Sequence, residues 1–231
     1  MIEISSSHRL SEELPAALPA GAVALFSRIR LPGQEVTVAA LERMLMGADL
    51  ELAAMQLADA DVELIAFGCT SASFIHGQDG DRGVIERIER AADVPATTTS
   101  TAVVNALRSL SAERIGVATP YPDAVNEAET EFFESAGFDV VHIEGLGLAT
   151  DREVGRVSRE DVTRLATRVG RIPADALFLS CTNLPSLPLI DDLEGMLRRP
   201  VVSSNSATIR EICERLELPL ETRAGLPGPG S

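Results

Sequence analysis

Two cysteines in matching sequence contexts are the residues best placed to do chemistry. Cys69 lies in the segment 68–71, Gly-Cys-Thr-Ser, and Cys181 lies in the segment 180–183, Ser-Cys-Thr-Asn. Each segment follows a short apolar run that is typical of a buried strand. A thiol between a strand end and a helix start meets backbone N–H groups, which lower its pKa and favour the thiolate. Both cysteines are therefore predicted to be catalytic.

The third cysteine has a different context. Cys213 shares one face of a predicted helix with Ile209 and Leu216, a spacing typical of a packed core position. A buried cysteine often acts as a small apolar residue, and this is also the alternative interpretation of Cys69 and Cys181. The matching polar neighbours of that pair favour catalysis, whereas Cys213 is assigned to the core.

Hydroxyl and amide side chains flank the two cysteines. Those expected to bind a carboxylate substrate are Thr70, Ser71, Thr182 and Asn183. Two further polar runs, 97–101 and 203–206, each precede a predicted helix. Two compatible roles are open to their hydroxyls. They can cap the helix, and they can form an anion site together with its first N–H groups. Ser100, in the first run, is a further substrate-binding candidate.

The only tyrosine follows a predicted strand and stands between two prolines. We expect the phenol of Tyr121 to face the substrate, with a surface turn as the alternative. Ser7 is its counterpart near the N-terminus and is predicted to bind substrate as well. His8 and His76 are weaker candidates, and the Gly- and Asp-rich stretch 74–83 is expected to form a mobile lid.

Short apolar runs alternate with longer helix-like stretches along the whole chain. The predicted strands are 64–67, 115–118, 140–143, 176–179 and 201–202. The predicted helices are 36–60, 83–92, 102–110, 121–136, 159–170, 189–197 and 206–216. This alternation indicates an α/β fold with a mainly parallel sheet. The Gly/Pro-rich end, 224–231, is expected to be loose.

The order of the elements repeats within the chain. Residues 1–29 align without a gap with residues 115–143, each reading as strand, polar loop, acidic helix and strand. Both halves continue with a strand that ends in Cys-Thr, an acidic helix, a proline-led strand and a Ser/Thr-rich turn. Such a duplication predicts two halves related by a pseudo-twofold axis. Cys69 and Cys181 then face each other at the C-terminal ends of parallel strands, where open α/β sheets bind ligands.

The composition argues against several classes of function. A net charge of −15 without a basic cluster disfavours binding to nucleic acids and to anionic membranes. No apolar run approaches the roughly 18 to 20 residues that span a bilayer, and the N-terminus lacks signal-peptide features. No Cys/His spacing suggests zinc. We expect a cytoplasmic protein with free thiols, and the sequence leaves a homo-oligomer open.

The chain resembles the aspartate/glutamate racemase superfamily, most closely its maleate isomerase and arylmalonate decarboxylase branch. The segments that carry the resemblance are 68–74, 95–102, 118–126, 151–156, 179–183 and 200–205. It implies an α/β fold of two pseudo-symmetric Rossmann-like domains with parallel sheets, an active site at the domain interface and no cofactor. We place the first domain at 1–103 plus 208–231 and the second at 104–207.

The resemblance also implies roles for single residues. In maleate isomerases the cysteine matching Cys69 is the nucleophile, the one matching Cys181 is the acid/base partner, and the tyrosine matching Tyr121 helps to hold a carboxylate. Ser7 and Asp151 stand where this branch has asparagine. An ionised Asp151 would repel a dicarboxylate such as maleate or pair with a substrate ammonium, so Asp151 belongs to the predicted substrate site.

The predicted activity is cis–trans isomerisation of a small unsaturated carboxylic acid. Cys69 adds to the double bond, the new single bond rotates and Cys69 leaves, while Cys181 supplies and retrieves a proton. The first alternative is racemisation or epimerisation of an amino or hydroxy acid by the same pair, with a link to ectoine breakdown. Decarboxylation is a further alternative, although the decarboxylases of this branch have only the second cysteine. Non-catalytic binding of a small acid is the last.

Overall fold

Uninterrupted apolar runs form the central strands of both halves of the chain. In the computed structural model, which describes residues 1–219, every residue of β3 (Ile65–Gly68) and of β7 (Ala176–Leu179) is buried. Strands that are buried on both faces are typical of parallel sheets covered by helices. These two strands therefore lie at the centre of two α/β layers.

The first half contains a four-stranded parallel sheet in the order β2-β1-β3-β4. Its other strands are β1 (Ile2–Ile4), β2 (Ser27–Ile29) and β4 (Ala96–Thr98). The accompanying helices are α1 (Arg9–Ala17), α2 (Val38–Met46), α3 (Asp49–Ala58), α4 (Thr70–Phe74) and α5 (Gly77–Ala92), with a 3-10 turn at Pro32–Gln34.

The second half contains a matching parallel sheet in the order β6-β5-β7-β8. Its other strands are β5 (Arg114–Thr119), β6 (Asp139–Gly145) and β8 (Val201–Ser203). The helices from the end of β4 onward are α6 (Thr99–Ser109), α7 (Asp123–Ser135), α8 (Asp151–Gly155), α9 (Arg159–Val169), α10 (Ile190–Leu197) and α11 (Ser204–Arg215), with a 3-10 turn at Leu187–Leu189.

The two sheets share one strand order when β5 to β8 are matched to β1 to β4. The predicted α/β fold with two parallel sheets is therefore confirmed. Helices α6 and α11 follow equivalent strands and pack against each other, which joins the halves. The domain boundaries 1–103 plus 208–231 and 104–207 stay a prediction, and the stretch 224–231 lies outside the described residues.

Two sequence predictions about helices are wrong. The predicted helix 36–60 is divided into α2 and α3 at Gly47. The stretch 74–83 forms the end of α4 and the start of α5 instead of a lid. Asp81 holds this stretch in place, because its buried carboxylate accepts hydrogen bonds from the Thr98 and Thr101 hydroxyls, each at 2.5 Å. Within residues 1–219 no helix is long and apolar enough to cross a membrane.

Candidate active site

The two sheets bring both predicted catalytic cysteines to one buried cavity. Cys69 directly follows β3 and precedes α4, and Cys181 lies two residues beyond the end of β7. Both thiols are free and buried, and both line the same cavity. The topology thus places equivalent loops of the duplicated halves around a common space, as the repeat predicts.

The cavity has a polar and an apolar part. The polar lining residues are Ser7, Cys69, Thr70, Ser71, Tyr121, Asp151, Cys181 and Thr182. The apolar lining residues are Ile4, Leu31, Val36, Leu41 and Val154. About 10 Å³ is open to the centre of a water-sized sphere, close to the space that one water needs. The structure therefore shows a closed form, and an organic substrate enters only when the surrounding elements separate.

Cys181 has an unusual backbone conformation. Its φ angle is +94°, a left-handed value that is costly for a residue with a Cβ atom. Hydrogen bonds hold this geometry: the Cys181 N–H donates to the Ser204 hydroxyl at 3.0 Å, and the Asn183 N–H donates to the Cys181 sulfur at 3.4 Å. These hydrogen bonds therefore maintain the strained backbone and, with it, the direction of the thiol just beyond the end of β7.

Burial sets the protonation of both thiols in the closed cavity. It raises the pKa of Cys69 to about 12, although a backbone hydrogen bond from Ala72 and the Ser71 hydroxyl act in the opposite direction. Burial also raises the pKa of Cys181, and the charge of Asp151 adds to this shift. The prediction of lowered thiol pKa values is wrong for the closed form, because loss of hydration outweighs the N–H groups at the helix start.

Tyr121 offers a free hydrogen-bond donor inside the cavity. Its side chain is buried, and its phenolic oxygen has no hydrogen bond of normal geometry in the described part of the chain, although the phenol is near enough to the Cys181 thiol to act against the rise of its pKa. The ring packs edge-on against Phe74, with centroids 6.1 Å apart. Burial raises the pKa of the phenol well above its usual value, so the group remains a neutral donor. An unpaired buried donor is costly, and a substrate oxygen would satisfy it.

Asp151 brings a carboxyl group into the same cavity at the first position of α8. Its oxygens accept hydrogen bonds from the Ser6 hydroxyl at 2.6 Å, from the Ser7 hydroxyl at 3.1 and 3.2 Å and from the Asn183 amide at 3.1 Å. None of the lining residues within the described chain is Lys, Arg or His. The cavity therefore contains one carboxyl group and no cationic side chain.

Hydrogen bonds across the two halves hold the cysteine loops together. The Thr70 hydroxyl donates to the Ser204 hydroxyl at 2.9 Å, which in turn accepts from the backbone of Cys181. The Thr182 hydroxyl donates to the carbonyl of Gly68 at 3.1 Å. Each cysteine loop is therefore positioned by residues from the other half of the chain.

Several predicted residues lie outside the cavity lining. Asn183 supports Asp151 from behind, and its side-chain oxygen accepts from the backbone N–H of His8 at 3.1 Å. Ser100 contacts the Ser73 hydroxyl at 2.6 Å. His76 is about half exposed and lies 4.0 Å from a carboxylate of α2. Cys213 is buried in a core cluster, as predicted.

A segment with no predicted role also lines the site. Leu31 and Val36 line the cavity from the loop between β2 and α2. The Val36 N–H donates to the carbonyl of Ala149 at 2.8 Å, and an isolated antiparallel bridge pairs Glu35 with Thr150. The signal for this segment is weak, since a loop with Pro and Gly between a strand and a helix is common. Within residues 1–219 no group of three His, Cys, Asp or Glu side chains could hold a metal ion.

Comparisons with known proteins agree with this architecture. The model of the arylmalonate decarboxylase family matches residues 15–225. The maleate isomerase of Nocardia farcinica is 31% identical over 236 residues, which cover 98% of this chain and 91% of that protein. The arylmalonate decarboxylase of Bordetella bronchiseptica is 34% identical over 140 residues, covering 60% of this chain and 58% of that protein.

A solved structure connects the fold to cysteine chemistry. A cysteine-to-serine mutant of the Nocardia farcinica maleate cis–trans isomerase, with a covalently bound succinylcysteine intermediate, superposes with a TM-score of 0.86 at 28% identity. The match covers 94% of this chain and 91% of that chain. The resemblance found in the sequence is thus confirmed. With its two parallel sheets and paired cysteines, the chain belongs to the arylmalonate decarboxylase family and is an isomerase within it.

Proposed function

We propose that the protein catalyses cis–trans isomerisation of a small α,β-unsaturated carboxylic acid, as its maleate isomerase relatives do with maleate. The observation that carries this proposal is the meeting of two thiols and an unpaired phenol in one buried cavity. A nucleophile, a proton carrier and an oxygen-binding donor are the three groups that this reaction needs.

In the proposed mechanism Cys69 is the nucleophile. Its thiolate adds to the β-carbon of the double bond, and the electron pair moves through the α-carbon into the carboxylate to give an enediolate. Cys181 donates its proton to the α-carbon, which leaves a thioether with a single bond that rotates. Cys181 then removes the α-proton, the double bond forms again in the trans geometry, and Cys69 leaves as thiolate.

Donors around the cysteines support charge stabilisation in this mechanism. The phenol of Tyr121 and the hydroxyl of Ser71 line the cavity, and the former has no other partner. We propose that they bind the substrate carboxylate, on which negative charge grows as the enediolate forms. Donors aimed at developing charge in a water-poor site commonly account for a large part of catalysis.

Formation of the thiolate depends on opening of the site. In the closed form burial raises the pKa of the Cys69 thiol to about 12. We propose that the proton leaves to water while the cavity is open, and that the substrate then excludes water as the loop with Leu31 and Val36 closes. A cytoplasmic location stays a prediction from the sequence, and a homo-oligomer stays open.

Proton NMR tests the proposal directly. The protein is mixed with a panel of cis-unsaturated acids that includes maleate, and olefin signals of the cis and trans forms are followed over time. We expect conversion of at least one substrate by the unmodified protein and none by Cys69→Ala or Cys181→Ala. Isomerisation that persists in either variant would rule out the two-cysteine mechanism.

Mass spectrometry adds a test of the order of events. In Cys181→Ala the nucleophile remains but the second thiol is absent. Water then protonates the α-carbon of the adduct, and no thiol removes that proton again. A thioether at Cys69 is therefore expected to persist and to increase the mass of its peptide. Cys69→Ala should show no adduct. An adduct at position 181 instead of position 69 would reverse the assigned roles.

A further inference from the structure

The charges around the cavity are unbalanced. Asp151 is the only carboxyl group among the lining residues, and no cationic side chain lines the cavity within the described chain. The exposed fraction of Asp151 is 5%, and three hydrogen-bond donors fix the position of its carboxyl group. A buried carboxylate without a counter-ion is unfavourable, so a ligand that supplies the missing charge gains affinity.

The guanidinium of Arg28, next to the Ser7 loop, already has other partners. Arg28 forms an ion pair with Glu3 at 3.1 Å and donates to the carbonyl of Ser7 at 2.7 Å and to the hydroxyl of Ser11 at 3.1 Å. These partners occupy its guanidinium, and Arg28 is not among the residues that line the cavity. The ion-pair partner of Arg28 is thus Glu3, and no ion pair joins Arg28 to Asp151 within the described chain.

The polar groups of the cavity divide by what they offer a ligand. Tyr121 offers a donor without a partner and suits a carboxylate oxygen. Asp151 offers only acceptor oxygens and suits an N–H group. A dianion would place its second carboxylate in the field of Asp151, where like charges in a water-poor cavity repel strongly.

We propose that the substrate is zwitterionic: an α,β-unsaturated acid whose carboxylate binds at Tyr121 and whose ammonium group pairs with Asp151. This inference rests on the proposed isomerase function and names the substrate class of the same site. The smallest such molecule of suitable length is cis-4-aminocrotonate, which has an aminomethyl group where maleate has its second carboxylate.

The chemistry of this substrate balances in the same way as in the general mechanism. The Cys69 sulfur forms a bond to carbon 3, the electron pair moves toward the carboxylate at carbon 1, and carbon 2 takes the proton of Cys181. After rotation, Cys181 recovers that proton and the carbon–sulfur bond breaks. The ammonium group keeps its protons throughout, and no oxidant or other reactant is needed.

The ammonium group would also assist the thiols. The charge of Asp151 contributes to the raised pKa values of both cysteines. A substrate cation next to this carboxylate cancels its field at the sulfur atoms. Binding of the correct substrate would therefore favour the thiolate that attacks it, whereas a dianion would oppose it.

The test compares three cis substrates by NMR: cis-4-aminocrotonate, the half-amide maleamate and the dianion maleate. For the unmodified protein we expect kcat/KM to fall in this order. The first and the last substrate should differ by about 100-fold or more, because an attractive charge pair with Asp151 is replaced by a repulsive one. Asp151→Asn should reduce this ratio by about 100-fold. The matched control is Asp81→Asn, which alters a buried, hydrogen-bonded aspartate outside the cavity and should leave the ratio unchanged.

A binding measurement separates this inference from the proposed function. The saturated analogues 4-aminobutanoate and succinate cannot isomerise, and their stabilisation of the fold is measured by thermal shift. Stronger stabilisation by 4-aminobutanoate, lost in Asp151→Asn, supports the inference even if no olefin is converted, in which case the proposed function alone fails. Equal or better use of maleate, or an unchanged preference in Asp151→Asn, overturns the inference while isomerisation itself stands.

Discussion

Cys69 and Cys181 are equivalent in the repeat but differ in backbone conformation. Cys69 has an extended φ of −141°, whereas Cys181 has a φ of +94°. A strained residue at a reactive position is a common way to fix the direction of a side chain. Of the two equivalent cysteines, only Cys181 thus has a strained backbone.

This difference predicts opposite effects of glycine at the two positions. Cys181→Gly should be more stable than Cys181→Ala by about 1 kcal/mol, because glycine adopts positive φ without cost. Cys69→Gly should be less stable than Cys69→Ala by about 0.5–1 kcal/mol, because glycine loses more chain entropy. Urea unfolding of the four variants measures both differences. The same sign at both positions would contradict the role of strain at Cys181.

The raised pKa of Cys69 predicts the pH dependence of its alkylation. Burial raises this pKa to about 12, so the thiolate fraction should grow about tenfold per pH unit between pH 7 and 9. Iodoacetamide labelling of the ligand-free protein, followed by mass spectrometry of the Cys69 peptide, gives the profile. The slope reports the thiolate fraction when opening is faster than alkylation, which is checked by a labelling rate proportional to the iodoacetamide concentration. A plateau below pH 8 would show that the N–H groups prevail over burial.

At the scale of elements, the start of α11 connects the two halves of the site. Ser203 caps this helix by accepting from the backbone N–H of Ser206 at 3.0 Å, while the Ser206 hydroxyl accepts from the N–H of Ser203. The next residue, Ser204, holds both Thr70 and the backbone of Cys181. The geometry of both cysteine loops therefore depends on the correct formation of the N-terminus of α11.

Removal of two helix caps should separate stability from activity. Ser203→Ala and Ser158→Ala each remove an N-cap, at α11 and at α9, and each should cost about 1 kcal/mol. Only Ser203→Ala should also lower kcat, by about tenfold, because small displacements of reacting groups are costly. Unfolding curves and NMR rates measure both effects. An equal loss of kcat in both variants would point to general destabilisation instead.

At the scale of the molecule, buried acids oppose the stability of the fold at high pH. Burial raises the pKa of Glu129 to about 8 and that of Glu13 to about 7. Glu129 accepts a hydrogen bond from the Ser180 hydroxyl at 2.5 Å, yet its second oxygen has no partner in the described chain. A group whose folded pKa is raised stabilises the fold below its unfolded pKa, and this contribution is lost as the pH rises through the folded value.

The free energy of unfolding should therefore fall between pH 5 and pH 8.5. One fully buried acid contributes a slope of about 1 kcal/mol per pH unit within this window. Glu129→Gln should flatten the dependence, and Glu134→Gln, at an exposed position of the same helix, should not change it. Urea unfolding at several pH values checks this. A stability that rises with pH in the unmodified protein would contradict protonation of Glu129 in the folded state.

Most of the strands and both cysteine loops were predictable from local sequence. The strand 176–179 matches β7 at both ends, because a short apolar run bounded by polar residues has few alternatives in an α/β fold. The break at Gly47 was not found, since the apolar pattern continues across it. The start of α5 was also missed, because Gly and Asp indicate loops unless a buried partner such as Thr98 orders them.

The sequence by itself determined the duplication, the α/β class and the equivalence of Cys69 and Cys181, because these follow from local patterns in chain order. Tertiary structure alone decided the protonation of the thiols and the contacts of Asp151. The donors Ser6 and Ser7 lie more than a hundred positions from Asp151 in the chain, and the pKa shifts depend on everything that excludes water from the cavity. Desolvation and charge act through space, so no local pattern records them.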